Sequence, residues 1–247
     1  QCFERGSVKN TYGTGCFMLM NTGSKPHPSK HGLVTTIAWG YKGEITYALE
    51  GSVFVAGSAV QWLRDQLKFF KTAKESEKLA LSAKEEHELI VVPAFVGLGA
   101  PYWDNDCKGA MFGITRGTSK EDMTKATLDS IAYQNRDILD AMKEDSGISI
   151  QSLRVDGGAS ANDYLMQFQS DIMQCSIERP ENVESTAFGA AYLAGLAVGY
   201  WYDLEELKRE RNSHIFTPTM DVSTVSHLYE RWQKAVACAR MFTKNEE

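Results

Sequence analysis

Residues 154–162 read Arg-Val-Asp-Gly-Gly-Ala-Ser-Ala-Asn. A short β-prone run with Leu153 and Val155 stops at Gly157-Gly158, and a helix-like segment starts at once. A Gly-Gly junction has no Cβ atoms, so a ligand can approach the main chain closely. The open N–H groups at a helix start suit an anion or a polar ligand. Far upstream, Asn10-Thr11-Tyr12-Gly13-Thr14-Gly15-Cys16-Phe17 sets a Gly-Thr-Gly turn between β-prone residues. Such a hairpin tip can aim several N–H groups, with the Thr14 hydroxyl, at one phosphate oxygen. Taken singly, each motif also reads as an ordinary tight turn. The chain has neither G-x-x-x-x-G-K-[ST] nor G-x-G-x-x-G after a strand, so neither a Walker loop nor a Rossmann fingerprint is supported.

The elements that must position these turns follow from periodicity. Residues 12–50 read as β-structure, with Val34–Trp39 and Glu44–Leu49 joined by Gly40-Tyr41-Lys42-Gly43 as a hairpin. Residues 24–32 read as an exposed loop, and the prolines around His27 and His31 argue against a helical metal pair. Ser58-Ala59-Val60-Gln61 matches a capping box and predicts a helix from Ser58, with Val60, Leu63, Leu67 and Phe70 on its apolar face. Residues 71–88 are Lys/Glu-rich and are expected to be solvated helix or loop; Leu89–Phe95 reads as a short buried strand. Gly97 to Asp104 reads as an irregular loop, with Asp104 and Asp106 as solvated turn carboxylates rather than metal ligands. Thr118-Ser119-Lys120-Glu121 is read as a second capping box, opening a long helix with Met123, Ala126, Ile131 and Ile138 inward and Gly147 as its stop.

After the Gly-Gly turn come a helix from about Ser160 to Met173, a strand near Ser176–Glu178, and a helix of small apolar residues. Strand–helix–strand–helix order with short connections implies an α/β layer. Residues 187–202 form the longest apolar run, too short for a membrane span. It reads as a buried core helix with Ser185 or Thr186 as its cap. Residues 221–242 carry Val225, Leu228, Tyr229, Trp232, Val236 and Ala239 at helical spacing, an amphipathic C-terminal helix.

Composition excludes several classes. The 247 residues are 43% hydrophobic and 23% charged, with a net charge of −6 and no Lys/Arg cluster of nucleic-acid type. Five scattered cysteines, without C-x-x-C or H-E-x-x-H, point to a reduced, cytoplasmic chain with no dedicated metal site. The opening Gln1-Cys2-Phe3-Glu4 lacks a Met and a signal-peptide pattern, as expected of a processed or excised piece.

Several longer motifs, in order, resemble the glycerol kinases of the FGGY carbohydrate-kinase family. They are Asn10 through Gly23, Tyr47-Ala48-Leu49-Glu50-Gly51, Ser58 through Asp65, Pro93 through Asp104, Arg154 through Gly158, and Gly189 through Gly199. The similarity is to the carboxy-terminal lobe and weakens after about residue 203. It implies one lobe of an actin-like ATPase (ribonuclease H-like) fold: an α/β lobe over 1–203, with a mixed sheet flanked by helices, and a helical extension over 204–247 packed on it. ATP or ADP and glycerol would bind in a cleft against an amino-terminal lobe of the same polypeptide. By motif, Thr14 would contact the nucleotide phosphates, Gly57 and Gln61 would line the nucleotide pocket, Gly158 and Asn162 would hold the adenosine end, and Phe17 would pack on glycerol.

Each of these residues has a structural reading as well. Gln61 completes the capping box, Asn162 can cap a helix, and Phe17 suits a strand core. The resemblance places the catalytic Asp and the Mg²⁺ carboxylates in the amino-terminal lobe, so no catalytic residue or metal ligand is assigned here, and Asp156 is read as structural. The implied reaction is ATP-dependent phosphorylation of glycerol to sn-glycerol 3-phosphate, with this lobe inactive alone. Another FGGY sugar or polyol kinase, a non-catalytic adenine-nucleotide module and a pure interaction domain are the alternatives. A homo-oligomer is compatible with the sequence.

Overall fold

Two strand pairings decide where the glycine motifs meet. In the computed structural model, which describes residues 2–84, 88–208 and 212–243, β1 (Val8–Tyr12) pairs antiparallel with β2 (Cys16–Gly23) and parallel with β7 (Ser152–Asp156). Thr11 lies opposite Asp156, so the Gly13–Gly15 tip and the Gly157-Gly158 turn leave the sheet at the same end. β2 continues to β4 (Glu44–Val53) and β3 (Val34–Tyr41) on one side; β7 continues to β8 (Ser176–Pro180) and β9 (Ser213–Phe216) on the other. The seven-stranded order is β3-β4-β2-β1-β7-β8-β9, a mixed sheet as expected.

The remaining elements are α1 (Gly57–Asp65), α2 (Glu75–Leu81), a small hairpin of β5 (Ile90–Val92) and β6 (Ala110–Phe112), α3 (Lys120–Ser146), α4 (Asp163–Met173), α5 (Ser185–Ala197) and α6 (Val222–Thr243). Val8, Tyr12, Met18, Met20, Leu49 and Val53 alternate onto one sheet face, where they are buried with Leu128, Ile131, Ile138 and Met142 of α3. Side-chain period two in the strands and 3.6 in the helix produce that match. Gly51 lets α3 come close: a Cβ there would lie 2.4 Å from Ile138 Cγ2. Trp232 of α6 is fully buried, stacked on Tyr133 of α3.

Several sequence expectations shift. That for residues 71–88 does not: α2 forms there in a mostly exposed stretch, with Ser76 and Ala80 buried, while residues 85–87 lie outside the described residues. The second capping box sits one residue later, with Ser119 and Asp122 exchanging bonds at 3.2 and 2.9 Å. Asp104 is not a free turn carboxylate, because it accepts from Arg240 of α6 at 2.8 Å. His27 and His31 both reach Asp145, through its carbonyl and its carboxylate. Gly147 does end α3, at φ +65°. The largest difference is α5. It was expected in the core, yet only Gly195 is buried, and its N-cap is Glu184 with no side-chain cap bond.

Candidate functional site

The site is built from three chain turns. The first is the tip of the β1–β2 hairpin. Gly13 N–H donates back to the Gly15 carbonyl at 2.8 Å, so this one N–H is spent inside the turn. Gly15 is required by crowding: a Cβ there would meet the Val53 carbonyl oxygen at 2.2 Å. Thr14 stands exposed at the tip, and Phe17 lies on the outward side of β2 with 49% of its surface exposed. Phe17 is therefore no strand-core aromatic. Its neighbour Cys16 points inward, where burial pushes its thiol up to about 12, too high for nucleophilic work at neutral pH.

The second turn is the start of α1. No Ser58–Gln61 capping box forms. The N-cap is Ala56 and has no side-chain bond. The hairpin does the capping instead: Ala56 N and Ser58 N donate to the Thr14 carbonyl at 2.9 and 3.0 Å, and Gly57 N donates to the Gly13 carbonyl at 3.1 Å. The Ser58 hydroxyl joins them on the Thr14 carbonyl at 3.0 Å. A Cβ on Gly57 would lie 2.4 Å from the Gly13 oxygen, so only glycine fits. Released from capping, Gln61 is exposed one helical turn beyond Gly57, on the same side of α1.

The third turn is Gly157-Gly158. Gly157 has φ +86°, and a Cβ on it would lie 2.4 Å from the Tyr12 carbonyl oxygen. Its neighbour Gly158 is the reverse case: exposed, with nothing within 4 Å of a Cβ position. The first glycine allows close packing; the second leaves a flat, open main chain. A 3₁₀ turn over Gly158–Ala161 leads into α4, where Asn162 is the N-cap and accepts from Leu165 N at 2.9 Å. The Asn162 amide also reaches Ser76 Oγ of α2 at 3.4 Å, which links the third turn to α2.

The Gly13-Thr14 main chain is thus bonded directly to Ala56-Gly57-Ser58, and Gly158 emerges beside them at the end of the adjacent strand. Asn162 keeps the capping role its position allowed. Asp156 is buried and paired with Lys9 at 3.2 Å, in keeping with a structural role. The carbonyl cap of α1 escaped sequence reading because main-chain acceptors leave no side-chain signature. Also missed was a buried polar layer under the hairpin, in which Tyr12, Asn135 and Gln169 are hydrogen-bonded. Its one sequence signal was Gln134-Asn135 interrupting the inward face between Ile131 and Ile138.

On the opposite sheet face a cavity of about 690 Å³ is walled by Lys9, Asp156, Glu178, Ser185 and Leu207 among others. After α5, Val198, Tyr200 and Tyr202 are 82%, 77% and 80% exposed. Among the described residues no three His, Cys, Asp or Glu side chains come together as metal ligands, and no helix is long and apolar enough to cross a membrane.

Residues 8–198 match the C-terminal domain of the FGGY family of carbohydrate kinases. Glycerol kinases of Bacillus licheniformis and Enterococcus casseliflavus are 62% and 57% identical over 98% and 97% of the chain. The chain spans about half the length of the curated relatives it matches, 49% and 48% of these two. The crystal structure of Plasmodium falciparum glycerol kinase with ADP is similar at a TM-score of 0.87 and 37% identity, over 100% of this chain and 49% of that one. A Lactobacillus acidophilus gluconate kinase shares the fold at a TM-score of 0.83 and 20% identity, over 97% of this chain and 48% of its own.

Proposed function

The chain belongs to the FGGY family of carbohydrate kinases, and from that premise we propose that it is the nucleotide-binding lobe of a glycerol kinase. The full polypeptide would transfer the γ-phosphoryl group of ATP to a terminal hydroxyl of glycerol, giving sn-glycerol 3-phosphate and ADP. The observation that carries this reading is the convergence of the Gly13–Gly15 tip, the Gly57 helix start and the open Gly158 turn, in a chain about 60% identical to glycerol kinases.

Phosphoryl transfer is mostly positioning and charge stabilisation. Thr14, fixed by three bonds to the start of α1, is assigned to the nucleotide phosphates. Gly57 and Gln61 form one wall of the nucleotide pocket. Gly158 and Asn162 hold the adenosine end, where the lack of a Cβ at Gly158 leaves room for a flat ligand. Phe17, outward and half exposed, packs on the carbon side of glycerol. Holding the hydroxyl and the γ-phosphorus in line can supply roughly 7–11 kcal/mol of the barrier.

Mg²⁺ would neutralise charge on the phosphate oxygens. Its ligands, and the carboxylate that takes the hydroxyl proton, are assigned to an amino-terminal lobe. The pairing of Asp156 with Lys9 supports that division. The exposed α5 supports it too. Its helix is nearly all apolar, and Leu193 is 45% exposed. Small residues such as Gly189, Ala190 and Ala194 suit close packing against a second lobe. The free cysteines Cys16, Cys107 and Cys175 support a reducing, cytoplasmic setting.

The test is glycerol-dependent ADP production by the full-length polypeptide, run beside pentuloses and other polyols. Preference for glycerol is the expected result. Activity on another polyol alone would keep the nucleotide assignments and overturn glycerol and Phe17. The lobe by itself should show no turnover, and saturating ADP at 100 times its Kd should stabilise it by about 2.7 kcal/mol if it binds.

A further inference from the structure

The hairpin carrying Thr14 and Phe17 is tied down at both feet. Tyr12 and Cys16 are the last paired residues of β1 and β2, with only Gly13-Thr14-Gly15 between them. The Tyr12 hydroxyl donates to Gln169 Oε1 of α4 at 2.7 Å. The Asn135 amide of α3 donates to the same Oε1 at 3.0 Å and reaches Cys16 Sγ at 3.7 Å. Gln169 Nε2 is anchored in turn on the Ala132 carbonyl at 3.0 Å. One residue back on α3, Gln134 Nε2 donates at 3.3 Å to the carbonyl of Val55, which leads into Ala56-Gly57. Tyr12, Asn135 and Gln169 are all fully buried.

Core packing does not ask for this layer. Asn10, on the same face of β1, has both amide atoms buried without a partner, and Asn135 Oδ1 is likewise unpaired. Unpaired buried amides cost stability, and apolar side chains of similar volume would fill the same space. The cost is concentrated directly beneath the hairpin that the proposed reaction needs, the kind of place where local packing rules give way to function.

We propose that Tyr12, Asn135 and Gln169 are positioning residues that hold the Gly13–Gly15 tip and Phe17 at a set height against Gly57. This rests on the kinase reading above. None of the three meets the substrate. They act by keeping the phosphate contact and the glycerol contact on one rigid hairpin, so that phosphate and hydroxyl stay aligned. Gln134 extends the same arrangement to the start of α1, so a single helix gauges both halves of the nucleotide contact.

The experiment compares Tyr12→Phe and Gln169→Met with Ser170→Ala in the full-length polypeptide, by steady-state kinetics with ATP and glycerol and by amide hydrogen exchange. Ser170 is equally buried, but bonds the Cys175 and Phe216 carbonyls away from the hairpin. Tyr12→Phe removes one oxygen and keeps the ring packing. Tyr12→Phe and Gln169→Met should raise KM for ATP about tenfold, lower kcat, and speed exchange at residues 13–17. Ser170→Ala should lower Tm while leaving those three readouts unchanged. Unchanged kinetics and exchange in both hairpin variants, with Tm lowered as in Ser170→Ala, would overturn the proposal. If the unsubstituted polypeptide does not phosphorylate glycerol, the kinase reading fails. Exchange at residues 13–17 in Tyr12→Phe still decides the strut: faster exchange supports it and unchanged exchange overturns it.

Discussion

Helices α3 and α5 invert the usual relation between composition and burial. α3 is rich in Lys, Glu, Asp, Asn and Gln, yet it buries residues from Asp122 to Met142. α5 is nearly all Ala, Gly, Leu, Phe and Tyr, yet it buries only Gly195. Burial follows what surrounds a helix, not its hydropathy alone. α3 lies under the sheet and holds buried polar groups that fix the hairpin and α1. α5 presents small apolar residues outward. In the reading proposed above, one helix serves the site and the other faces the amino-terminal lobe.

Paired substitutions can break that contrast. The largest effect is expected at the joint between the turns. Gly157→Ala adds a Cβ at φ +86° and 2.4 Å from the Tyr12 oxygen, and should destabilise the lobe by about 2–4 kcal/mol in chemical denaturation. Next, Ile131→Ala in the α3 core should cost about 2–4 kcal/mol, while Leu193→Ala on α5 should stay within about 0.5 kcal/mol in the isolated lobe. In the full-length polypeptide Leu193→Asp should lower the proposed kinase activity sharply, and equal activity would remove α5 from the proposed interlobe surface.

A smaller effect sharpens the picture on the α3 side. Asp137 accepts from Tyr102, Tyr229 and Trp232 at 3.0, 2.6 and 2.9 Å, yet burial pushes its carboxyl up to about 7, with Asp140 adding to the rise. A carboxyl raised above its unfolded value of about 3.9 binds more protons when folded. Its contribution to stability is therefore present below about pH 4 and is lost as pH rises to about 7. Tm should fall across that window, and Asp137→Asn should flatten the slope. Smallest of all, Arg240→Ala should cost only about 0.5–1 kcal/mol, because its pair with Asp104 is partly solvated.

Much of the lobe was legible in the residues. The β-prone runs of β1 to β4, the glycine turns at 13–15 and 157–158, and the spacing of Val225, Tyr229 and Trp232 are local signals, and each became the expected kind of element. The capping boxes were less legible. Ser58-Ala59-Val60-Gln61 carries the right side chains, but carbonyls of Gly13 and Thr14 arrive first from 44 residues away. Asn135 and Gln169 gave a weaker signal, because a polar residue on an apolar stripe does not say which distant hydroxyl it will meet.

The sequence by itself determined most of the strands and helices, though not β6 or β9, together with the family resemblance and the residues offered for nucleotide contact, since these depend on local periodicity, on turn chemistry and on motifs read in order. Only the tertiary structure decided that the hairpin caps α1, that α3 carries the hairpin from beneath, and that α5 is left uncovered. Those outcomes depend on which main-chain and side-chain groups come within hydrogen-bonding reach once the sheet is assembled. Parallel pairing of β1 with β7, some 145 residues apart in the chain, brings them there, and no short stretch of sequence encodes such a distance.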